Sequence, residues 1–179
     1  MRKMDDLIRL AKAIRARNAV EEEITAIIGR PAQLGHVGEY IAAHVFGIAL
    51  EHSATHKGSD GRFPCGPLAG RTVNVKWYAK MEGLLDLTVE GIPDYYLVLA
   101  GPKSAAVSSR GTTRPWVIAS VFLFQAGELV DHLHTGGVKL GVATSVTRLI
   151  WDKAEIYPVA ANPRLVLSDE QRNSLSLFR

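Results

Sequence analysis

Four side chains in this sequence are of types and spacing that could do chemistry together. Asn74 and Lys76 stand two apart in TVNVKWYAK, residues 72–80. Asp60 lies fourteen positions before Asn74, in KGSDGRF, and Glu39 lies further upstream in VGEYIAAHVFGIAL. Carboxylate and amide oxygens are hard donors of the kind a small divalent cation takes, and a lysine can stabilise negative charge as it develops. Each residue also has an ordinary explanation. A glutamate on a helix is commonly a surface charge, an aspartate before glycine a turn residue, and polar residues alternating with apolar ones the wet side of a half-buried strand. Taken singly, those explanations win; the order and spacing of all four favour a shared site.

The elements that must position them follow from periodicity. Leu34, Val37, Ile41, Val45 and Ile48 trace one face of a helix over residues 32–47, which carries Glu39. Residues 49–63 predict two short extended pieces joined near KGSDG, and Asp60 sits in that turn. Val73, Val75, Trp77 and Ala79 alternate with Thr72, Asn74, Lys76, Tyr78 and Lys80, so 72–78 predicts a strand with Asn74 and Lys76 on one face. DYYLVLAG (94–101) and WVIASVFLF (116–124) are apolar runs of strand length, suited to the middle of a sheet. MEGLLDL fits a short helix or a loop, GPKSAAVSSRGTTRP (101–115) a loop, and QAGELVDHLHT (125–135) a helix. Before all this, residues 3–28 predict helix, with a break near Asn18 and a stop at Gly29-Arg30-Pro31. Residues beyond 136 predict short strands around 138–150 and an irregular end. Helix, three strands, a connection, two strands and a helix imply an α/β domain with a mixed sheet.

This arrangement resembles the restriction endonuclease-like nuclease superfamily, whose hallmark is the PD-(D/E)xK motif, over roughly residues 32–124. Its members share a helix bearing a glutamate, a hairpin bearing the aspartate and a strand bearing (D/E)xK. VGEYIAAHVFGIAL, KGSDGRF and VNVKWYAK look like those three pieces. The tail, with GVATSVTRLIWDKAEIYP, looks more like a small uncharacterised bacterial family within the superfamily. The resemblance implies a restriction endonuclease-like central mixed sheet flanked by helices, in a single domain over 1–179: an added N-terminal helical segment (1–31), the nuclease-like core (32–124) and a C-terminal helix with short strands (125–179).

It further implies a metal-dependent DNA endonuclease using Mg²⁺ or Mn²⁺, with Glu39, Asp60, Asn74 and Lys76 as catalytic residues. Asp60 would be the central metal ligand, Glu39 would ligate directly or through water, Asn74 and the Val75 carbonyl would complete the set, and Lys76 would orient the attacking water or stabilise the charged phosphate. Two positions depart from the motif: Ser59 stands where proline is usual, and Asn74 where a carboxylate is usual. The second removes a full charge, which leaves open a weak ligand at Asn74, a carboxylate supplied by Glu82 or Asp86, or a site that has lost its metal. Two other functions therefore stay on the table: a catalytically inactive protein that binds nucleic acid or a protein partner, and a structural subunit self-associating through its N-terminal helices and apolar strands.

Composition is compatible with these. The formal net charge is +3 with a pI near 9.1, a mild basic bias. Lys57, Arg62 and Lys80 cluster near the motif, and Lys103, Arg110 and Arg114 lie on the 101–115 loop, so all six are candidates for phosphate contact with DNA. A homodimer is also open. No apolar run is long enough to span a bilayer, and charges interrupt the N-terminus throughout, unlike a secretory signal. The single Cys65 excludes an internal disulfide and a zinc ribbon, and a cytoplasmic location is expected. His36 with His44, His52 with His56, and His132 with His134 are weaker metal candidates, and no glycine-rich nucleotide loop is present.

Overall fold

The alternating segment forms a seven-residue strand, β3 (Thr72–Tyr78), inside a sheet covered on both faces. The structure, a computed structural model, describes residues 2–51, 58–88, 90–103 and 113–179, with side chains from residue 4 onward. Before β3 come α1 (Arg2–Ile28), α2 (Leu34–Phe46), β1 (Ala49–Leu50) and β2 (Gly61–Arg62). After it come β4 (Leu84–Leu85), β5 (Tyr95–Ala100), β6 (Ser120–Gln125), α3 (Ala126–Thr135), β7 (Thr144–Ser145), α4 (Arg148–Ala154), β8 (Glu155–Tyr157) and α5 (Asp169–Ser176). The chain is thus α/β, with a mixed six-stranded sheet in the order β1-β2-β3-β5-β6-β8 and helices on its faces. Among the described strands of this sheet, β3 and β5 pair in parallel and the other neighbours are antiparallel.

A parallel pair needs a crossover. Here it is the irregular stretch between Tyr78 and Tyr95, which carries β4, paired with β7 in a small second sheet. At its far end Asp94 staples the two strands. Its Oδ2 accepts from the Thr72 backbone N–H at 2.8 Å and the Thr72 hydroxyl at 2.9 Å, and Arg71 reaches its Oδ1 at 3.1 Å.

Two apolar layers sandwich the sheet. On one face Val73, Val75 and Trp77 pack with Leu97, Leu99 and Val121 against Ile41, Ala42 and Phe46 of α2 and Leu175 of α5. On the other, Tyr96, Val98, Phe122 and Phe124 meet Leu85, Leu129, Leu133 and Trp151. Trp151 stands edge-on to both phenylalanines, with ring centroids 4.8 and 4.9 Å away, the favoured geometry for aromatic pairs. Burial on both faces explains why β5 and β6 are continuous apolar runs.

α2 lies close on β3 because Gly38 has no side chain: a Cβ there would stand 3.1 Å from Trp77 Cβ. Gly38→Val is therefore expected to push α2 off the sheet and destabilise the fold by about 1–3 kcal/mol, the usual cost of overpacking, read as a lowered denaturant midpoint. An unchanged midpoint would show that this approach is slack.

The elements differ from sequence expectation in four places. α1 runs unbroken through Asn18, because asparagine lowers helix propensity only slightly. MEGLLDL contains the short strand β4, held by β7 rather than by its own periodicity. β6 starts at Ser120, not 116: the Ile118 N–H donates to the Phe178 carbonyl at 2.7 Å, so that stretch is held by the C-terminal end of the chain. Finally, the tail has one short strand, β7, inside the expected 138–150 stretch, but it also holds two helices, α4 and α5, that are not expected. α5 begins with a capping box: Ser168 Oγ accepts from the Gln171 N–H, and Gln171 Oε1 from the Ser168 N–H. None of the helices of the described residues is long and apolar enough to cross a membrane.

Candidate functional site

Asp60 is delivered by the hairpin that feeds β3. Its backbone is fixed on both sides: the Glu51 N–H donates to the Asp60 carbonyl, and the Asp60 N–H to the Val73 carbonyl, each at 2.9 Å. The next residue, Gly61, permits the tight approach to β1, since a Cβ there would stand 2.5 Å from the Ala49 carbonyl oxygen. The β2–β3 ladder ends at Gly61 and Val73. Beyond it the Asp60 side chain takes over as acceptor, its Oδ2 receiving the Val75 N–H at 2.7 Å. Because the N–H and C=O of one strand residue point to the same side, the Val75 carbonyl also faces the Asp60 side of β3.

Glu39 and Lys76 enter the same electrostatic neighbourhood. Burial pushes the Asp60 carboxyl above its ordinary range; the Val75 hydrogen bond opposes this, Glu39 adds to it as a like charge, and Lys76 and Arg30 oppose it as cations. Burial also pushes the Lys76 ammonium down, opposed by Asp86 and Asp60. The Lys76 Nζ lies 5.7 Å from the centre of the Tyr96 ring, close enough for a cation–π contact. Opposed perturbations of this kind gather at functional sites, although structural ion pairs produce them as well.

Asn74 sits two residues before Lys76 on the same face of β3. Its Oδ1 is buried and, among the described residues, has no hydrogen-bond partner, an arrangement that normally costs about 1–3 kcal/mol. Such an acceptor fits a cation better than it fits a packed core. Among the described residues no three His, Cys, Asp or Glu side chains gather as a metal cluster. What the site offers is two carboxylates, Glu39 and Asp60, with an amide oxygen and a backbone carbonyl nearby.

Two further residues shape it. Arg30, in the link between α1 and α2, is ion-paired to Glu39. In the sequence it was visible only as the middle of a helix stop, and nothing in its spacing marks it as part of a site. Asp86, a sequence candidate for the missing carboxylate, is held close to β3: its N–H donates to the Tyr78 hydroxyl at 2.9 Å, and its Oδ1 accepts from the Ala143 N–H at 2.7 Å. Burial raises the Tyr78 hydroxyl pKa, so that hydroxyl stays protonated. Glu82, the other candidate, pairs instead with Arg114 at 3.2 Å.

The remaining candidates scatter. Arg62 faces Glu51 at 3.5 Å, Lys80 follows β3, and Lys103 bridges to Met81. Lys103 also lines a cavity of about 420 Å³ with Glu82, Arg148 and Trp151, and Glu39, Asp60, Asn74 and Lys76 are not among its lining residues. Lys57, Arg110, His52 and His56 lie outside the described residues. His36 and His44 turn Nδ1 to the Pro31 and Tyr40 carbonyls at 2.9 and 2.8 Å. His132 and His134 lie in the last turn of α3, where positive charge is favoured. Cys65 is exposed and unpaired. No family model matches the chain, and no curated protein matches it significantly.

Proposed function

We infer that the chain is a divalent-cation-dependent DNA endonuclease of restriction endonuclease-like type, hydrolysing phosphodiester bonds. One observation carries this: the buried Asn74 Oδ1, unpartnered among the described residues, lies on the Lys76 face of β3, and Lys76 and Glu39 of α2 both act on the Asp60 carboxyl. The order of parts supports the finer fold as well, with a glutamate helix packed on the sheet, an aspartate at a hairpin and a lysine strand beside it.

Mg²⁺ or Mn²⁺, when bound, would polarise a phosphate oxygen and acidify a water. Asp60 and Glu39 would hold it by charge, and Asn74 Oδ1 and the Val75 carbonyl as neutral donors. The hydrogen bond from Val75 N–H orients Asp60. Asp86 and Asp60 favour the ammonium form of Lys76, which would donate to the phosphate as negative charge develops. Arg30 must release Glu39 for both carboxylates to serve. That ion pair, together with the neutral Asn74, favours a second function in which Arg30 supplies the balancing charge and the protein binds DNA without cutting it.

Plasmid cleavage in Mn²⁺ tests this. Wild type should nick or cut; Asp60→Ala and Lys76→Ala should each lose at least about 100-fold in rate, comparable to removing one key charge-stabilising group. Lys76→Ala should retain Mn²⁺ binding by calorimetry, and Asp60→Ala should not. A wild type that neither cleaves single- or double-stranded DNA nor binds Mn²⁺ rules out the nuclease.

A further inference from the structure

α1 is long and largely bare. Its 27 residues would extend about 40 Å, and Leu7, Leu10, Ile14, Val20 and Ile27 are all about half exposed or more. A helix with so little tertiary cover is marginal in water unless an apolar face is buried. Leu7, Leu10, Ile14, Arg17, Glu21, Ile24 and Ile28 follow alternating steps of three and four, the seam of a two-helix coil. Only Arg17 and Glu21 interrupt it with charge, and within one chain they pair with each other at 2.6 Å.

Charge fixes what can cover this seam. Arg9, Lys12, Arg15 and Arg17 make the first part of α1 basic, whereas Glu21, Glu22 and Glu23 make the second acidic. We propose that α1 pairs antiparallel with α1 of a second copy of this chain, about a two-fold axis near Ala19. In that register Leu10 meets the partner's Ile28, Ile14 meets the partner's Ile24, and Arg17 meets the partner's Glu21, each contact repeated by symmetry. Val20 then falls beside its own copy at the axis, and Ala13 beside the partner's Ile27, which accounts for two exposed apolar residues flanking the seam. Ile24 and Ile28 are already half-buried in the monomer, so the partner's basic half completes a layer that the chain begins. A parallel pairing would set Arg17 on Arg17 and Glu21 on Glu21, so like charges exclude it. Met4 and Ile8 lie off the seam and take no part.

The test is mass by light scattering on the full chain, with helicity by circular dichroism as a folding control. Wild type should run as a dimer, twice the 19.5 kDa chain. Arg17→Glu and Glu21→Arg should each weaken dimerisation at least about tenfold while the protein stays folded. The double variant Arg17→Glu/Glu21→Arg should restore it, because the swap recreates both cross-pairs. Ile14→Glu should give a monomer that no second change at residue 17 or 21 repairs. A monomeric wild type at micromolar concentration overturns the proposal, whether or not that monomer binds DNA or vesicles through the basic half. So does a dimer indifferent to Arg17→Glu, or a double variant that stays as weak as the singles.

Discussion

An Asp60→Asn protein is expected to be more stable than wild type at neutral pH and to have no cation-dependent cleavage. The stability half follows from the direction in which burial moves the carboxyl. Asp60 has a folded-state pKa above its ordinary value, burial being the largest cause and the Glu39 charge a further one. Between the unfolded and folded values the native chain keeps a proton that the unfolded chain has released. Stability therefore falls as pH rises through that window, and the deficit persists above it. Asparagine has nothing to ionise, yet its Oδ1 can still accept the Val75 N–H now received at 2.7 Å. Glu39 loses a like-charged neighbour, and Lys76 retains Asp86. The gain should be present at pH 7, and it should disappear once pH falls below the ordinary aspartate value, where the unfolded carboxyl also takes up its proton.

Asp94 supplies a control of opposite sign. The Thr72 backbone N–H is the chief cause lowering its pKa, helped by the Thr72 hydroxyl and Arg71. Its stabilisation is present above the unfolded value and is lost as pH falls through the folded one. Asp94→Asn should thus weaken the protein at pH 7. Urea titrations of both variants at pH 7 and below the ordinary aspartate value separate the two cases. An Asp60→Asn protein less stable than wild type at pH 7 would mean that the carboxylate holds the hairpin together and is not a strained functional group.

β3 shows how much of this was legible in the sequence. Its alternation located the strand to the residue and put Asn74 and Lys76 on one face. It also suggested that this face is wet, whereas its residues Thr72, Asn74, Lys76 and Tyr78 are half-buried. Period-two patterning distinguishes apolar from polar positions, but it cannot tell solvent from a second core that arrives later in the chain. Here that core comes from β4, α3 and α4, and it closes over Tyr96 and Val98 on the same side. Glu39 was not legible from periodicity, because the stripe of Leu34, Val37, Ile41 and Val45 puts it on the opposite side of α2, whereas the residues that α2 buries are Gly38, Ile41, Ala42 and Phe46. Nor was Arg30, because its place depends on how α1 and α2 meet across the Gly29–Pro31 link, and no periodicity encodes that. β4 and β7, two residues each, exist only through one another, so no local signal could have shown either. The Asn74 substitution was plain in the sequence; that its oxygen is buried without a partner was not.

Asn74→Asp should convert that orphaned oxygen into a cation-dependent stability. In the absence of metal the change adds a third carboxylate to a half-buried site that already holds Asp60 and Glu39. With Arg30 committed to Glu39, the cost should reach about 1–3 kcal/mol, that of a buried polar group left unsatisfied, or more for a charge. Mn²⁺ should reverse it. A carboxylate adds a charge-assisted ligand where the amide offers only a dipole, and a ligand that binds only the folded state stabilises it by about 2.7 kcal/mol at a hundredfold excess over its Kd. The expected result is a variant with a lower melting temperature than wild type in chelator and a larger upward shift in Mn²⁺, with calorimetry giving the tighter Kd. Adding Asp60→Ala should erase the Mn²⁺ response in both backgrounds. Were the Asn74 oxygen facing ordinary solvent, Asn74→Asp would move stability by no more than about 0.5 kcal/mol and Mn²⁺ would shift neither protein. That pattern would remove the metal from the site and leave the Arg30–Glu39 pair as its resident charge balance.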